Sequence, residues 1–180
     1  MAAEAVRIIL ALDNVSLEPM ITTDAIKIRE VVPGDLPGLK NIIDSTALFP
    51  SELLDEMVQP FFQQTEKTEF WLTCELDNVL VAVAYFAPER MTNGTFNLLL
   101  IAVHSDLHGR GIGRELTAYI ERFLKSGGVR ILLVETSGLP DFERTRAFYT
   151  QNGYRVEATI AEYYAEGEDK IVFWKSLQDK

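Results

Sequence analysis

The 180-residue chain has a single cysteine, Cys74, so it can build no internal disulfide framework and no thiolate zinc cage. Cys74 sits in the apolar stretch Phe70–Cys74, without a glycine elbow or an adjacent histidine, and reads as an inert buried thiol rather than a nucleophile. No run of about 18 apolar residues occurs, which predicts no membrane-spanning helix. The apolar opening Val6–Leu12 follows Glu4 and ends at Asp13. It lacks a basic lead and a small-residue cleavage site, so no signal peptide is expected and the expected location is the cytoplasm. Positive charge is scarce as well: 17 Lys and Arg stand against 27 Asp and Glu, for a formal net charge of -10. Such a surface repels phosphate backbones, which argues against a nucleic-acid partner and weakly favours cationic small molecules.

What is present fits one globular domain. Residues 1–24 match nothing that follows and read as an N-terminal arm; residues 25–180 read as the domain. Ala25–Glu30 alternates as a half-buried strand does. Asp35 and Ser51 are placed to cap two short helices, the second expected to end at Pro60. Phe70–Glu75 and Val79–Phe86 read as strands joined by an Asp77-Asn78 hairpin turn. Phe96–Val103 is almost continuously apolar, as a strand covered on both faces would be. From Gly111 to Lys125 the period becomes helical, with Ile112, Leu116, Tyr119, Ile120 and Phe123 in one stripe closed by Gly127-Gly128. A strand over Val129–Glu135, a helix over Asp141–Asn152 and strands over Tyr154–Tyr163 and Lys170–Ser176 complete the order.

The informative segment is Val103-His-Ser-Asp-Leu-His-Gly-Arg-Gly-Ile-Gly-Arg114, where an apolar strand ends and glycines open a helix. Unpaired amides at a helix start carry partial positive charge, and glycines at 109, 111 and 113 let a phosphate approach the backbone. Arg110 and Arg114 add full charges. The dinucleotide fingerprint needs G-x-G-x-x-G and a P-loop needs Gly-Lys-Ser/Thr; neither spacing is met, which argues against a nicotinamide oxidoreductase. His104 and His108 stand four apart in a loop with no carboxylate at metalloprotease spacing, so no metal site is expected.

The stretch from His108 through Arg110-Gly111-Ile112-Gly113, after Ile101-Ala102-Val103, resembles the acetyl-CoA motif of the GNAT superfamily of N-acetyltransferases, commonly written Q/R-x-x-G-x-G/A. His108 stands where Gln or Arg is usual. Arg146-Ala-Phe-Tyr-Thr-Gln-Asn-Gly-Tyr154 is similar to the family's later hallmark of an aromatic, a tyrosine and Gly-Tyr, while Asp141-Phe142-Glu143 lies where relatives carry an asparagine that touches CoA. The resemblance covers about Ile26 to Trp174. It implies a mixed α/β fold with a central mixed sheet flanked by helices, and acetyl-CoA as acyl donor. It further implies a cofactor cradle of Ala102, Val103, His108, Gly109, Arg110, Gly111, Ile112, Gly113 and Arg114. The acceptor would be an amine of a small molecule or peptide, and a homodimer would fit the family.

The implied chemistry is direct attack of the amine on the thioester. The resemblance assigns an oxyanion-facing amide near Val103 and gives Tyr149 the role of proton donor to the leaving thiolate. An alkylamine must first lose a proton. Relatives that place a Glu or His on the strand before the glycine turn differ from this chain, which has Leu98, Leu99, Leu100 and Ile101 there. Glu135 is the first substitute, His104 the second, and a water chain a third route. A solvated strand-end carboxylate and a surface loop histidine account for those two residues equally well. The missing base also admits a second reading, a non-catalytic acyl-CoA-binding sensor or interaction module. Tyr163, Tyr164 and Trp174 are candidates for a cleft wall, with ordinary sheet packing expected for at least two of them.

Overall fold

In the computed structural model of the chain, residues 20–21, 26–65 and 67–178 are described. Strands β1 (Met20–Ile21), β2 (Ile26–Glu30), β3 (Phe70–Leu76), β4 (Val79–Pro88), β5 (Thr95–Val103), β6 (Ile131–Ser137), β7 (Arg155–Ala165) and β8 (Glu168–Ser176) form one sheet in the order β1-β2-β3-β4-β5-β6-β8-β7. Every pairing is antiparallel except β5 with β6. Helices α1 (Leu36–Thr46) and α2 (Leu53–Gln63) follow β2, α3 (Ile112–Ser126) joins β5 to β6, and α4 (Glu143–Gln151) joins β6 to β7. The expected α/β class and element order are thus both found. Met20 and Ile21, from the segment read as an arm, pair with Ile28 and Lys27 of β2; the rest of that segment lies outside the described residues.

Local chemistry accounts for most of these elements. Asp77 and Asn78 both take left-handed φ, 51° and 64°, as a two-residue hairpin loop requires for its twist to match the strands. The stripe Ile112, Leu116, Tyr119, Ile120 and Phe123 is buried and covers one face of the sheet, against Phe70, Phe86 and Phe96. On the opposite face Leu39, Ile42, Ile43, Leu54 and Val58 of α1 and α2 pack with Trp71 and Val83. Both faces of the central strands are therefore dry.

Three local expectations are corrected. Pro60 does not end α2, which runs on to Gln63. The carbonyl that Pro60 leaves without its helical partner belongs to Glu56, an exposed residue open to solvent, while Val58 and Phe61 stay buried on either side and hold the helix down. Ser51 gives α2 no side-chain cap; its carbonyl takes the Leu54 N–H instead, at 3.1 Å. Asp35 also gives α1 no side-chain cap, because its carboxylate is committed elsewhere. It accepts Arg29 Nη1 and Nη2 at 2.7 and 2.9 Å and the Val32 N–H at 2.8 Å. Arg29 in turn donates from Nε to Glu75 on β3 at 2.7 Å.

Burial alone would raise the Asp35 carboxyl, but the Arg29 and Val32 hydrogen bonds outweigh it and hold the group below the usual carboxylate range. A depressed folded value stabilises the fold above the unfolded Asp value of about 3.9, and that stabilisation is lost as pH falls through the folded value. Arg29→Met is expected to lower Tm by about 3–8 °C at neutral pH, from one charge-assisted network in a chain of this size. Its Tm should then fall less steeply than wild type on acidification below about pH 4. Calorimetry across that range checks both; parallel curves would remove the linkage from Asp35.

Candidate active site

The site begins where the sheet opens. The parallel β5–β6 pairing runs from Thr95–Ile131 to Leu98–Val134 and stops, while β6 continues against β8 as far as Ser137–Lys170. On its other side β5 slips register against β4 at the same place: Tyr85 faces Leu100 and Phe86 faces Leu98, so Leu99 is the extra residue of a bulge. Leu99 is 51% exposed in a strand whose other residues are buried or half-buried. The two strands part around it into a cleft of about 330 Å³, walled by Leu99, Ile101, Glu135, Tyr149, Tyr164 and Glu168.

Alternation then decides which amides face that cleft. The His104 N–H donates to the Val81 carbonyl at 2.9 Å, which fixes the phase of the antiparallel β4–β5 ladder. Ala102 therefore directs its backbone groups at β4, while Ile101 and Val103 direct theirs at the open edge. Of the expected pair Ala102 and Val103, it is Val103 whose amide lies on the cleft side. The Val103 carbonyl is taken by His108 Nε2 at 2.8 Å, so the His108 ring ties the loop back to the strand end rather than reaching outward.

Beyond the strand, a short 3-10 turn over Ser105–Leu107 leads to the glycines. The His108 and Arg110 amides are spent inside this turn, on the Ser105 and Leu107 carbonyls at 3.2 and 3.4 Å. The first bond of α3 runs from the Glu115 N–H to the Gly111 carbonyl at 3.0 Å, so Ile112, Gly113 and Arg114 present amides with no intrahelical acceptor. Gly109 and Gly111 hold left-handed φ of 80° and 82°, and a Cβ built on either meets nothing within 4 Å. Their faces look into open space, and Gly113 rests on Val103 Cγ2 and the Phe148 ring, which seats the helix start on the strand end. Arg110 and Arg114 are exposed beside these amides. A concentration of free N–H groups next to an apolar cleft is what a diphosphate with a long thiol-bearing arm needs, and the residues present fit coenzyme A.

The other candidates fall into place around the cleft. Tyr149 on α4 is 2% exposed and packs edge-on against Phe148 and Tyr154. Burial raises its phenol above the ordinary tyrosine value, so it carries its proton at neutral pH. Glu135 lines the cleft, but its Oε2 accepts from Lys170 Nζ at 2.9 Å. Lys170 is 6% exposed and lies 3.5 Å from the Tyr163 ring centroid. Burial alone would lower its ammonium; the bonds to Glu135 and Tyr163 reverse that and raise it. His104 is not among the lining residues; its Nδ1 accepts the Asp106 N–H at 3.4 Å. Cys74 is buried, its thiol pushed up to about 12 by desolvation. Of the three late aromatics, Tyr164 joins the cleft, Tyr163 packs on Lys170 and Trp174 under Arg155 at 4.2 Å.

Leu48 from the α1–α2 loop and Glu168 from the last hairpin also line the cleft, and neither was singled out in the sequence. Neither carries a local signal; only the folding of distant loops onto one opening reveals them. Phe142 occupies the wall near the position where relatives carry asparagine. Among the described residues no cluster of three or more His, Cys, Asp or Glu is arranged to hold a metal ion, and no helix is long and apolar enough to cross a membrane.

A splayed β5–β6 pair with a glycine-opened helix behind it defines an acyltransferase-type fold, and comparison with known proteins names it. The family model "Acetyltransferase (GNAT) family" matches residues 39–154, and the chain belongs to the GNAT acetyltransferase family. A GNAT-family protein from Desulfovibrio desulfuricans superposes with a TM-score of 0.80 at 28% identity, covering 86% of this chain and 100% of that one. The ribosomal-protein-S18-alanine N-acetyltransferase from Escherichia coli gives 0.69 at 21% identity, over 86% and 96% of the two chains. An aminoglycoside 6'-N-acetyltransferase complexed with coenzyme A gives 0.68 at 17% identity, over 85% and 98%. No curated protein matches in sequence.

Proposed function

We propose that this chain is an acetyl-CoA-dependent N-acetyltransferase that acylates an amine of a small molecule or peptide. The observation that carries it is the continuity of three features: free amides at Ile112–Arg114, the open β5–β6 edge at Val103 and the cleft that ends on Tyr149. Neighbours of this fold include acetyltransferases of a ribosomal protein and of aminoglycosides, one of them with coenzyme A bound.

Acetyl-CoA supplies a thioester whose carbonyl carbon takes the amine. The cradle of Gly109, Gly111, Ile112, Gly113 and Arg114 amides, with Arg110 beside it, holds the diphosphate. The Val103 N–H donates to the carbonyl oxygen as negative charge builds there. As the carbon–sulfur bond breaks, Tyr149 gives its proton to the departing thiolate and recovers one from solvent. Glu135 receives the amine's proton through its cleft-facing side, directly or by way of water, while Lys170 holds it in place.

The Glu135–Lys170 bridge also favours the second reading, a non-catalytic acyl-CoA sensor, since it occupies one oxygen of the carboxylate expected to take the amine's proton. Mixing the protein with acetyl-CoA and a panel of amines while following free thiol separates the two. Amine-dependent thiol release is expected; tight acetyl-CoA binding without release in any amine would leave the sensor.

A further inference from the structure

The β7–β8 hairpin breaks its own register beside the cleft. Ile160 faces Lys170 and Ala165 faces Glu168, which leaves Asp169 alone opposite residues 161 to 164. Within this bulge Glu162 holds a left-handed φ of 52°, a strained backbone for a residue with a side chain. Two bonds keep it there: Asp169 Oδ1 accepts the Glu162 N–H at 2.9 Å, and Glu162 Oε1 accepts the Gly167 N–H at 3.3 Å. The hairpin is also seated on the end of β6. The Gly138 N–H donates to the Asp169 carbonyl at 2.8 Å, and a Cβ on Gly138 would stand only 3.2 Å from Asp169 Cβ. So placed, the bulge lays Tyr163 on Lys170 and sets Tyr164 and Glu168 in the cleft wall.

That wall carries an unmatched charge. Among the described residues lining the cleft, Glu135 and Glu168 are acidic and none is basic. Glu135 is matched by Lys170, whose ammonium is engaged by that carboxylate and by the Tyr163 ring. Glu168 is half-buried, and among the described residues its carboxylate has neither a hydrogen bond nor an ion pair. Burial first, then the charges of Glu135 and Glu168, outweigh Lys170 and raise the Tyr164 phenol, so its hydroxyl keeps its proton. One cation against two carboxylates leaves the opening net negative, and the excess sits on Glu168. A half-buried carboxylate has lost part of its hydration, and a positive group entering the cleft offsets that loss. The Tyr164 ring beside it offers a face that a cation or an alkyl chain can rest on.

We propose that Glu168 is a specificity-determining residue, which selects acceptors whose far end, away from the reacting amine, is positively charged. The inference rests on the acetyltransferase reading and names its acceptor class. Glu168, Lys170 and Val172 alternate onto one face of β8, and Val172 is the strand partner of Glu135. Glu168 and Glu135 therefore share that face, about 14 Å apart along the strand. Both side chains reach into the opening between them, which leaves a span for about five methylene groups. Leu99 and Tyr164 supply apolar surface for such a chain. The reacting amine lies toward Glu135 and the Val103 amide, and the far charge lies toward Glu168. An acidic far end would meet an unmatched carboxylate there, and a neutral one would leave it unmatched.

The test uses the full chain, acetyl-CoA and three amines built on one five-carbon chain: 1,5-diaminopentane, pentylamine and 6-aminohexanoate. Expected is kcat/KM falling in that order, by about tenfold or more from diamine to pentylamine, as one charge-assisted contact supplies. Added salt should narrow the spread. Glu168→Gln is nearly isosteric, on a hairpin whose side-chain bonds come from Glu162 and Asp169. It should bring the diamine down to pentylamine, and Glu168→Lys should put 6-aminohexanoate first. The order is read within each variant, so a loss common to all three amines does not enter. Equal kcat/KM for the three in wild type, or an order that both substitutions leave unchanged, would overturn the assignment while the acetyltransferase reading stands. If no amine releases thiol, that reading fails and binding decides the charge selection. The diamine should then raise the Tm of wild type and not of Glu168→Gln; an equal rise in both, or none in either, would overturn it.

Discussion

Gly111→Asp is expected to raise the Kd for coenzyme A by about 100-fold or more while leaving the fold in place, the loss of two charge-assisted contacts at this helix start. The fold survives because the added Cβ meets no atom within 4 Å; the only structural cost is the left-handed φ of 82°. For an aspartate that cost is about 1 kcal/mol, or roughly 2–4 °C in Tm. Binding suffers twice. The new carboxylate sits beside the Ile112, Gly113 and Arg114 amides and competes for them as an N-capping side chain does. It also places like charge where the diphosphate must lie. Gly111→Ala, with the strain but without the charge, should lose far less. Titration calorimetry with coenzyme A, at two ionic strengths, measures both; an aspartate variant that binds like wild type would show that the glycine turn is not the anion cradle.

The features legible in the sequence are those written in local pattern. The stripe from Ile112 to Phe123 and the alternation in β2 follow from periodicity, and the Asp77-Asn78 loop follows from turn chemistry; each is found where expected. The glycines at 109 and 111 were legible as well, since the left-handed φ that each adopts favours glycine. What escaped depends on partners far away in the chain. Asp35 looked like a helix cap because nothing nearby shows that Arg29 and Val32 claim its oxygens. Pro60 looked like a stop because the burial of Val58 and Phe61 on α2 is a tertiary fact. The Leu99 bulge is invisible in a run of leucines, yet it opens the cleft. Glu135 was visible as a strand-end carboxylate, but Lys170, 35 positions later, alters what that carboxylate can do.

Tyr149→Phe is the sharper probe of chemistry, because it removes one oxygen and nothing else. A general acid contributes about 10²–10⁴-fold to a rate, and a thiolate with a solution pKa near 8.5 needs the lower part of that range, so kcat should fall about 100-fold. Acetyl-CoA affinity should barely change, since the ring keeps its packing against Phe148, Tyr154 and Phe173. Stability should hold or improve slightly, because the phenylalanine leaves no buried hydroxyl to satisfy. The raised phenol adds a second criterion: a group protonated through the neutral range contributes no alkaline limb near pH 8 in wild type. Turnover unchanged from wild type would mean that solvent protonates the leaving sulfur and that Tyr149 is there for its ring alone.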